Sequence, residues 1–144
     1  MAELAREGPP RSLDMMMPGQ PVAMARPRVV YSHGRAHAYT PELTRLAVER
    51  WTLLARNAMH GRTRFVGPVV LEVEAVMRQP TGRRRFPWPD VKPDLSNIIK
   101  LCEDGLAPVW GDDAQVVKIE AVKRYARAGE EPHCRVTIRE AEDG

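Results

Sequence analysis

Apolar and polar positions alternate over residues 69–77. Leu71, Val73, Ala75 and Met77 fall on one side, with Glu72 and Glu74 on the other. A period of two predicts a strand with one buried face. Val117, Ile119 and Ala121 alternate with Lys118, Glu120 and Val122, and Cys134, Val136 and Ile138 alternate with Arg135, Thr137 and Arg139, which predicts two closing strands. Met15-Met16-Met17 ahead of Pro18-Gly19 predicts a short strand ending in a turn. Val29-Val30-Tyr31 predicts another, with Ser32-His33-Gly34-Arg35 as its turn. Elsewhere the period lengthens to three or four. Leu43, Ala47, Trp51, Leu54 and Ala58 line one face of a helix capped by Thr40, with Pro41 in its first position and Gly61 at its end. Arg45, Glu49, Arg50 and Arg56 are left for water. A second helix fits Leu95–Asp104, with Asp94 as its cap, Leu95, Ile98, Ile99 and Cys102 as its buried stripe, and Gly105 as its stop. Strands and helices interleave without an internal repeat. The fold class is therefore α+β: a small mixed β-sheet packed against two helices.

The 144 residues suit one domain, and 43% hydrophobic residues suffice for its core. Residues 1–14 mix Pro, Gly, Arg and Glu without a period and read as a flexible arm. Residues 15–140 form the domain, and 141–144 an acidic tail. There is no run of about 18 apolar residues to cross a membrane, and the first residues lack the apolar core of a secretion signal. A cytoplasmic protein is expected. Two of the 22 bases and six of the 19 acids lie in the termini, which leaves residues 15–139 at +7 within a chain of net +3. A basic body suits a polyanionic partner. Cys102 and Cys134 are not spaced for zinc and fit inert thiols. His33 and His37 stand four apart, but Gly34 between them argues against the helix that such a metal pair needs.

The candidate chemistry lies in the second half. Residues 78–92 carry Arg78, Arg83, Arg84, Arg85 and Lys92 against Asp90 alone, with Phe86 and Trp88 interleaved. Bases paired with aromatics suit nucleic acid, because Arg meets phosphates and rings stack on bases. A loop this long inside a compact domain is usually functional or disordered. It runs straight into Asp94. A carboxylate there ordinarily only caps a helix, yet beside a basic loop it also suits Mg²⁺, which takes hard oxygen ligands. Asp112-Asp113 follows Trp110-Gly111. Such pairs are common in turns, and a bound cation relieves their mutual repulsion. Ser96, Lys100 and either Glu103 or Asp104 share a helix face. Lys100 reads as a surface ion-pair partner or as a cation aimed at a scissile phosphate.

Taken together, Lys92-Pro93-Asp94-Leu95-Ser96-Asn97-Ile98-Ile99-Lys100, then Asp104, then Val109-Trp110-Gly111-Asp112-Asp113-Ala114-Gln115-Val116 closely resembles the RusA family of Holliday junction resolvases. Pro18-Gly19-Gln20-Pro21-Val22 with Ala25-Arg26-Pro27-Arg28, Ala38-Tyr39-Thr40-Pro41 and Lys123-Arg124-Tyr125 also look like family segments. The resemblance implies a homodimeric, Mg²⁺-dependent endonuclease, with Mn²⁺ as a substitute ion. Such an enzyme nicks four-way DNA junctions symmetrically in recombination and repair, and is bacterial or phage-borne. It needs no small-molecule cofactor and no membrane. The resemblance further implies that Asp94, Asp112 and Asp113 bind the metal, with Asp94 beside the acidic pair, and that Asp94, Lys100 and Asp113 are catalytic. Arg26, Arg28, Arg83, Arg84, Arg85, Lys92, Lys123 and Arg124 would meet DNA. One departure stands out: the family's second Asp is Ser96 here, a neutral and weaker ligand. Either Asp104 compensates, or the chain is a branched-DNA-binding protein of the same fold with weak or no cleavage.

Overall fold

The computed structural model describes residues 8–25, 28–39 and 41–142. Its main sheet has four strands in the order β1-β6-β4-β5: β1 (Ser12–Pro18), β4 (Val69–Met77), β5 (Val116–Tyr125) and β6 (His133–Glu140). β6 runs antiparallel to both β1 and β4, whereas β4 and β5 are parallel. Parallel neighbours need a crossover. It consists of the loop 78–94, helix α2 (Leu95–Gly105), the short helix α3 (Ala107–Trp110) and a 3₁₀ turn at Asp113–Gln115. β2 (Arg28–Ser32) and β3 (Arg35–Tyr39) form a separate hairpin, followed by helix α1 (Glu42–Met59).

Period-two patterning explains the core. Leu13 and Met15 of β1 stand beside Ile138 and Val136 of β6, which stand beside Leu71 and Val73 of β4. All six are buried in one cluster with Ala47, Trp51, Ile98, Leu101 and Cys102 from the helices. The opposite sheet face carries Glu72, Glu74, Arg135 and Thr137, with Arg135 reaching Asp14 and Arg139 reaching Glu72. The mixed sheet with helices on one face is as expected.

Several local expectations shift. Residues 12–14, read as part of an arm, are paired strand. The hairpin gains β3, whose two-residue turn puts His33 and Gly34 at φ 51° and 74°, the left-handed values that match strand twist. Thr40 lies outside the described residues, and α1 begins at Glu42 with Pro41 in the cap position. The buried face of α1 is Thr44, Ala47, Trp51, Ala55 and Met59, spaced by three or four about Trp51, while Leu43 is exposed. The left-handed cap is His60 (φ 50°), just before Gly61. Gly105 does not stop α2 but is its last residue. It is there because α1 crosses so closely that a Cβ would collide with the Trp51 Cβ. Thr52 fastens the crossing by donating to the Val48 and Gly105 carbonyls, at 3.1 and 3.0 Å.

Candidate functional site

α2 carries candidate residues at both ends. At its start Asp94 occupies the cap position with extended backbone, and its carbonyl accepts from the Asn97 and Ile98 N–H groups. Its carboxylate makes no cap hydrogen bond and is exposed. The ordinary reason for an Asp there, capping, is therefore not what the side chain does. Asp94 lines an open cleft with Pro21–Ala25, Lys92, Pro93 and Asn97; Met24 N–H donates to the Asn97 carbonyl at 2.9 Å and closes one wall. The Lys92–Pro93 peptide is cis. Ser96 and Lys100, one turn apart, are both exposed. No ion pair takes up the Lys100 ammonium among the described residues.

The acidic pair sits at the other end of the crossover. Asp112 accepts from Ala114 N–H at 2.9 Å, and its own N–H donates to Gln115 Oε1. Gln115 Nε2 in turn donates to the Phe65 and Gly67 carbonyls, at 2.8 and 3.0 Å. Asp113 Oδ1 accepts from the buried Trp110 indole at 2.9 Å. Each carboxylate keeps one oxygen free of these bonds. Glu103 and Asp104 line the same cleft. Burial, then the Asp113 and Asp104 charges, push the Glu103 carboxyl above its ordinary range, with Lys100 opposing. Gln115 is a positioning residue that periodicity did not reveal. Its sequence signal is its place three residues after Asp112, the spacing of a capping box.

The basic loop 78–92 is exposed as expected. Arg83, Arg84, Arg85 and Lys92 face water, as do Phe86 and Trp88. Arg84 lies over the Tyr125 ring at 5.6 Å and Arg85 over Phe86 at 5.3 Å. Such stacking holds side chains in place while leaving the charge outward. Lys123 and Arg124 depart from the expected DNA-contact set. The Lys123 ammonium donates to the Val91 and Pro93 carbonyls at 2.6 and 2.9 Å, so it fastens the loop just before Asp94. Arg124 is only 14% exposed and forks onto Glu130 at 2.7 Å while also reaching Glu74. Those two carboxylates raise its pKa, and Arg124 in turn lowers that of Glu130 to about 2. Arg26 lies outside the described residues, and Arg28 is described only as strand backbone. Both cysteines are free and buried, and the Cys134 thiol beside Cys102, together with burial, pushes the Cys102 pKa up, in keeping with inert thiols.

Asp94 is not beside Asp112-Asp113. The 11 residues of α2 separate them by about 16 Å of helix axis. β5 gives the same answer: Asp94 neighbours Lys123 near its end, whereas Asp113 stands just before its start. Ligands of one Mg²⁺ lie about 2 Å from it, so a single chain cannot bring these carboxylates to one ion. Asp104 is at the far end too and cannot stand in for Ser96 beside Asp94. Among the described residues no group of three or more His, Cys, Asp or Glu could hold a metal. The residues of one chain thus do not fit the shared metal site that the resemblance implied.

The fold is thus a one-sided α+β sheet whose exposed basic loop leads onto Asp94 at the cap position of α2. The family model described as endodeoxyribonuclease RusA matches residues 18–139, and the chain belongs to that family, whose activity is Holliday junction resolution. It is also similar to the uncharacterized protein YqaN of Bacillus subtilis (strain 168), 29% identical over 134 residues that cover 85% of this chain and 92% of that one. Nucleases of this family are generally divalent-metal dependent. No helix among the described residues is long and apolar enough to cross a membrane.

Proposed function

We propose that this protein is a homodimeric endonuclease that needs Mg²⁺, accepts Mn²⁺, and resolves four-way DNA junctions by paired symmetric nicks. The observation that carries the reading is the exposed loop 78–92, which places three consecutive arginines and two exposed aromatics on the path to Asp94. Arg83, Arg84 and Arg85 bind phosphates along the arms, while Phe86 and Trp88 stack on bases opened at the branch point. Lys123 holds the loop end, so that Asp94 keeps its place as DNA arrives. Lys100, exposed and without an ion-pair partner, meets the negative charge that builds on the phosphate undergoing attack. The four candidate metal and catalytic groups, Asp94, Lys100, Asp112 and Asp113, remain the proposed machinery, with the bacterial cytoplasm as its place whether the gene is bacterial or phage-borne. A twofold dimer suits a substrate whose two cut strands are themselves related by a twofold axis.

The test uses a synthetic four-way junction, end-labelled in turn on each strand, with a linear duplex of one arm pair as control. The protein should cut the junction with Mg²⁺ or Mn²⁺ at symmetric positions and leave the duplex intact. A junction bound but uncut in either metal would favour the alternative, a branched-DNA-binding protein weakened by Ser96. Absence of both binding and cutting would contradict both readings.

A further inference from the structure

The hairpin of β2 and β3 stands apart from the core. Neither strand packs against another helix or strand over more than a passing contact. Every side chain from Val29 to Ala36 is exposed, on both faces of the ribbon. A lone two-stranded hairpin is marginal in water, so burial does not account for this one. It is regular all the same, with five residue pairs closed by a two-residue turn, and it reaches roughly 15 Å from its root.

Its two faces differ. Tyr31 stands directly opposite Ala36, with Val29 two residues back on the same face. The Tyr31 ring is 80% exposed, more than Trp88 or Phe86 in the basic loop, and the small Ala36 beside it gives it no cover. The other face carries Val30 and, at the tip, Ser32 opposite Arg35. Arg35 has no ion-pair partner among the described residues. Residues 26–39 hold three arginines, two histidines and no acid.

The root gives the address. Residues 21–25, which lead into the hairpin, line one cleft with Asp94 and with Lys92 and Pro93 at the end of the basic loop. Asp94 therefore lies between two basic elements, each with exposed aromatics. A ribbon with a ring on one face and a cation on the other calls for a flat apolar surface close to negative charge. Linear duplex does not offer this, because each base pair is covered by its neighbours. A four-way branch point does: the stack is interrupted there, and phosphates turn beside the uncovered pairs. A protein groove would suit the apolar face alone, and the acid-free ribbon rooted beside Asp94 favours DNA.

We infer that the β2–β3 hairpin is a branch-point wedge, in which the Tyr31 face stacks on an uncovered base pair while Arg35 on the other face meets a phosphate of the adjoining arm. It rests on the junction substrate given under Proposed function and adds the part that tells a junction from a duplex. Inserting a ring into a duplex first costs the unstacking of a base step, whereas at a branch point that step is already open.

The test reads binding apart from cutting, without divalent ions, on a four-way junction and on a linear duplex of one arm pair. Tyr31→Ala should weaken junction binding by about tenfold and leave duplex binding unchanged, while Tyr31→Trp should keep the wild-type preference. Arg35→Ala should instead lower the log–log salt slope on the junction by about 1. All three variants should keep the wild-type Tm, since these side chains lie outside the core. A lower Tm with equal losses on both DNAs would make the ring structural and overturn the wedge. Photoreactive benzoylphenylalanine in place of Tyr31 reads position: irradiation should link it to nucleotides at the branch point and leave the duplex unlinked. Cross-links spread along the arms would overturn the wedge. So would a tightly bound junction without cross-links, which would leave the hairpin to a protein partner. If the branch-point cross-link forms but the wild type cuts no junction in Mg²⁺ or Mn²⁺, the nuclease reading falls and the wedge stands. If the wild type cuts junctions and Tyr31→Ala prefers them over duplex as strongly, the wedge falls and the nuclease stands.

Discussion

Gly105→Ala separates close packing from helix propensity, because the two predict opposite signs. Gly105 lies within α2 with an ordinary helical backbone, so alanine there should stabilise by about 0.4–1 kcal/mol through the unfolded chain alone. Against this, the new Cβ would collide with the Trp51 Cβ and sit 3.2 Å from the Val48 carbonyl oxygen. Carbon atoms prefer about 3.5–4.0 Å, so the helices must part by roughly 1 Å. Trp51 is buried and its Cβ is fixed to the α1 backbone, so no side-chain rotation relieves the contact. Overpacking of this kind costs about 1–3 kcal/mol, and the net effect should be a loss of about 1–2 kcal/mol. That corresponds to a fall in Tm of roughly 3–7 °C for a domain this size. Urea unfolding followed by tryptophan fluorescence measures it. Gly67→Ala, where nothing lies within 4 Å of the new atom, serves as the control and should change stability by under about 0.5 kcal/mol. Because α2 carries Asp94 and Lys100, the displacement should also slow cleavage by about tenfold or more. A Gly105→Ala protein as stable as the wild type would refute the close crossing.

The other expectations are these. Asp94→Asn should abolish cleavage while changing stability by under about 0.5 kcal/mol, since the carboxylate makes no cap bond to lose; near-wild-type cutting would remove Asp94 from the site. Neutralising Arg83, Arg84 and Arg85 together should lower the log–log salt slope of DNA binding by about 2–3, and an unchanged slope would make the loop a bystander. Ser96→Asp should raise cleavage at limiting Mg²⁺ and enlarge the metal-induced rise in Tm, because Asp104 is too far away to substitute; no change in either would place position 96 away from the metal. The Glu103 carboxyl has a raised pKa, so the folded state holds its proton more tightly than the unfolded chain. Its contribution to stability therefore falls as pH rises from the ordinary carboxylate range through the raised value. Glu103→Gln should remove that pH dependence and be the more stable form at neutral pH, as read from urea midpoints between pH 4 and 8.

The strands and helices were legible where one face is buried and the other wet. β4 runs from Val69 to Met77 as its alternation says, and α2 is off by only one residue at its end. α1 shows the limit. Leu43 and Thr44 both fit a helical period counted from Ala47, and which of them is buried depends on how α1 rolls against α2 at Gly105, a tertiary fact. β3 is not marked by its pattern, because Arg35, His37 and Tyr39 alternate with two small alanines rather than with large apolar residues. The basic loop and Asp94 were legible because charge and aromatics interleave there without a period. Their separation from Asp112-Asp113 was not, because alternation says that β5 is a strand and nothing about its direction. An antiparallel β5 would start where β4 ends, beside Asp94; the parallel one starts at the opposite end of the strands, level with the start of β4. Lys123 and Arg124 misled for a related reason. A basic pair looks the same in sequence whether it faces DNA or, as here, loop carbonyls and the Glu130 carboxylate.

The most direct measurement uses a supercoiled plasmid whose inverted repeat extrudes a cruciform, a four-way junction within a closed circle. Paired cuts across the junction within one encounter convert the supercoil straight to linear DNA, whereas unpaired cuts yield nicked circles first. The wild type with Mg²⁺ should form linear product from the earliest time points, with both ends mapping to the cruciform base, and leave a plasmid without the repeat untouched. Nicked circles alone, or equal cutting of the plasmid that lacks the repeat, would contradict it.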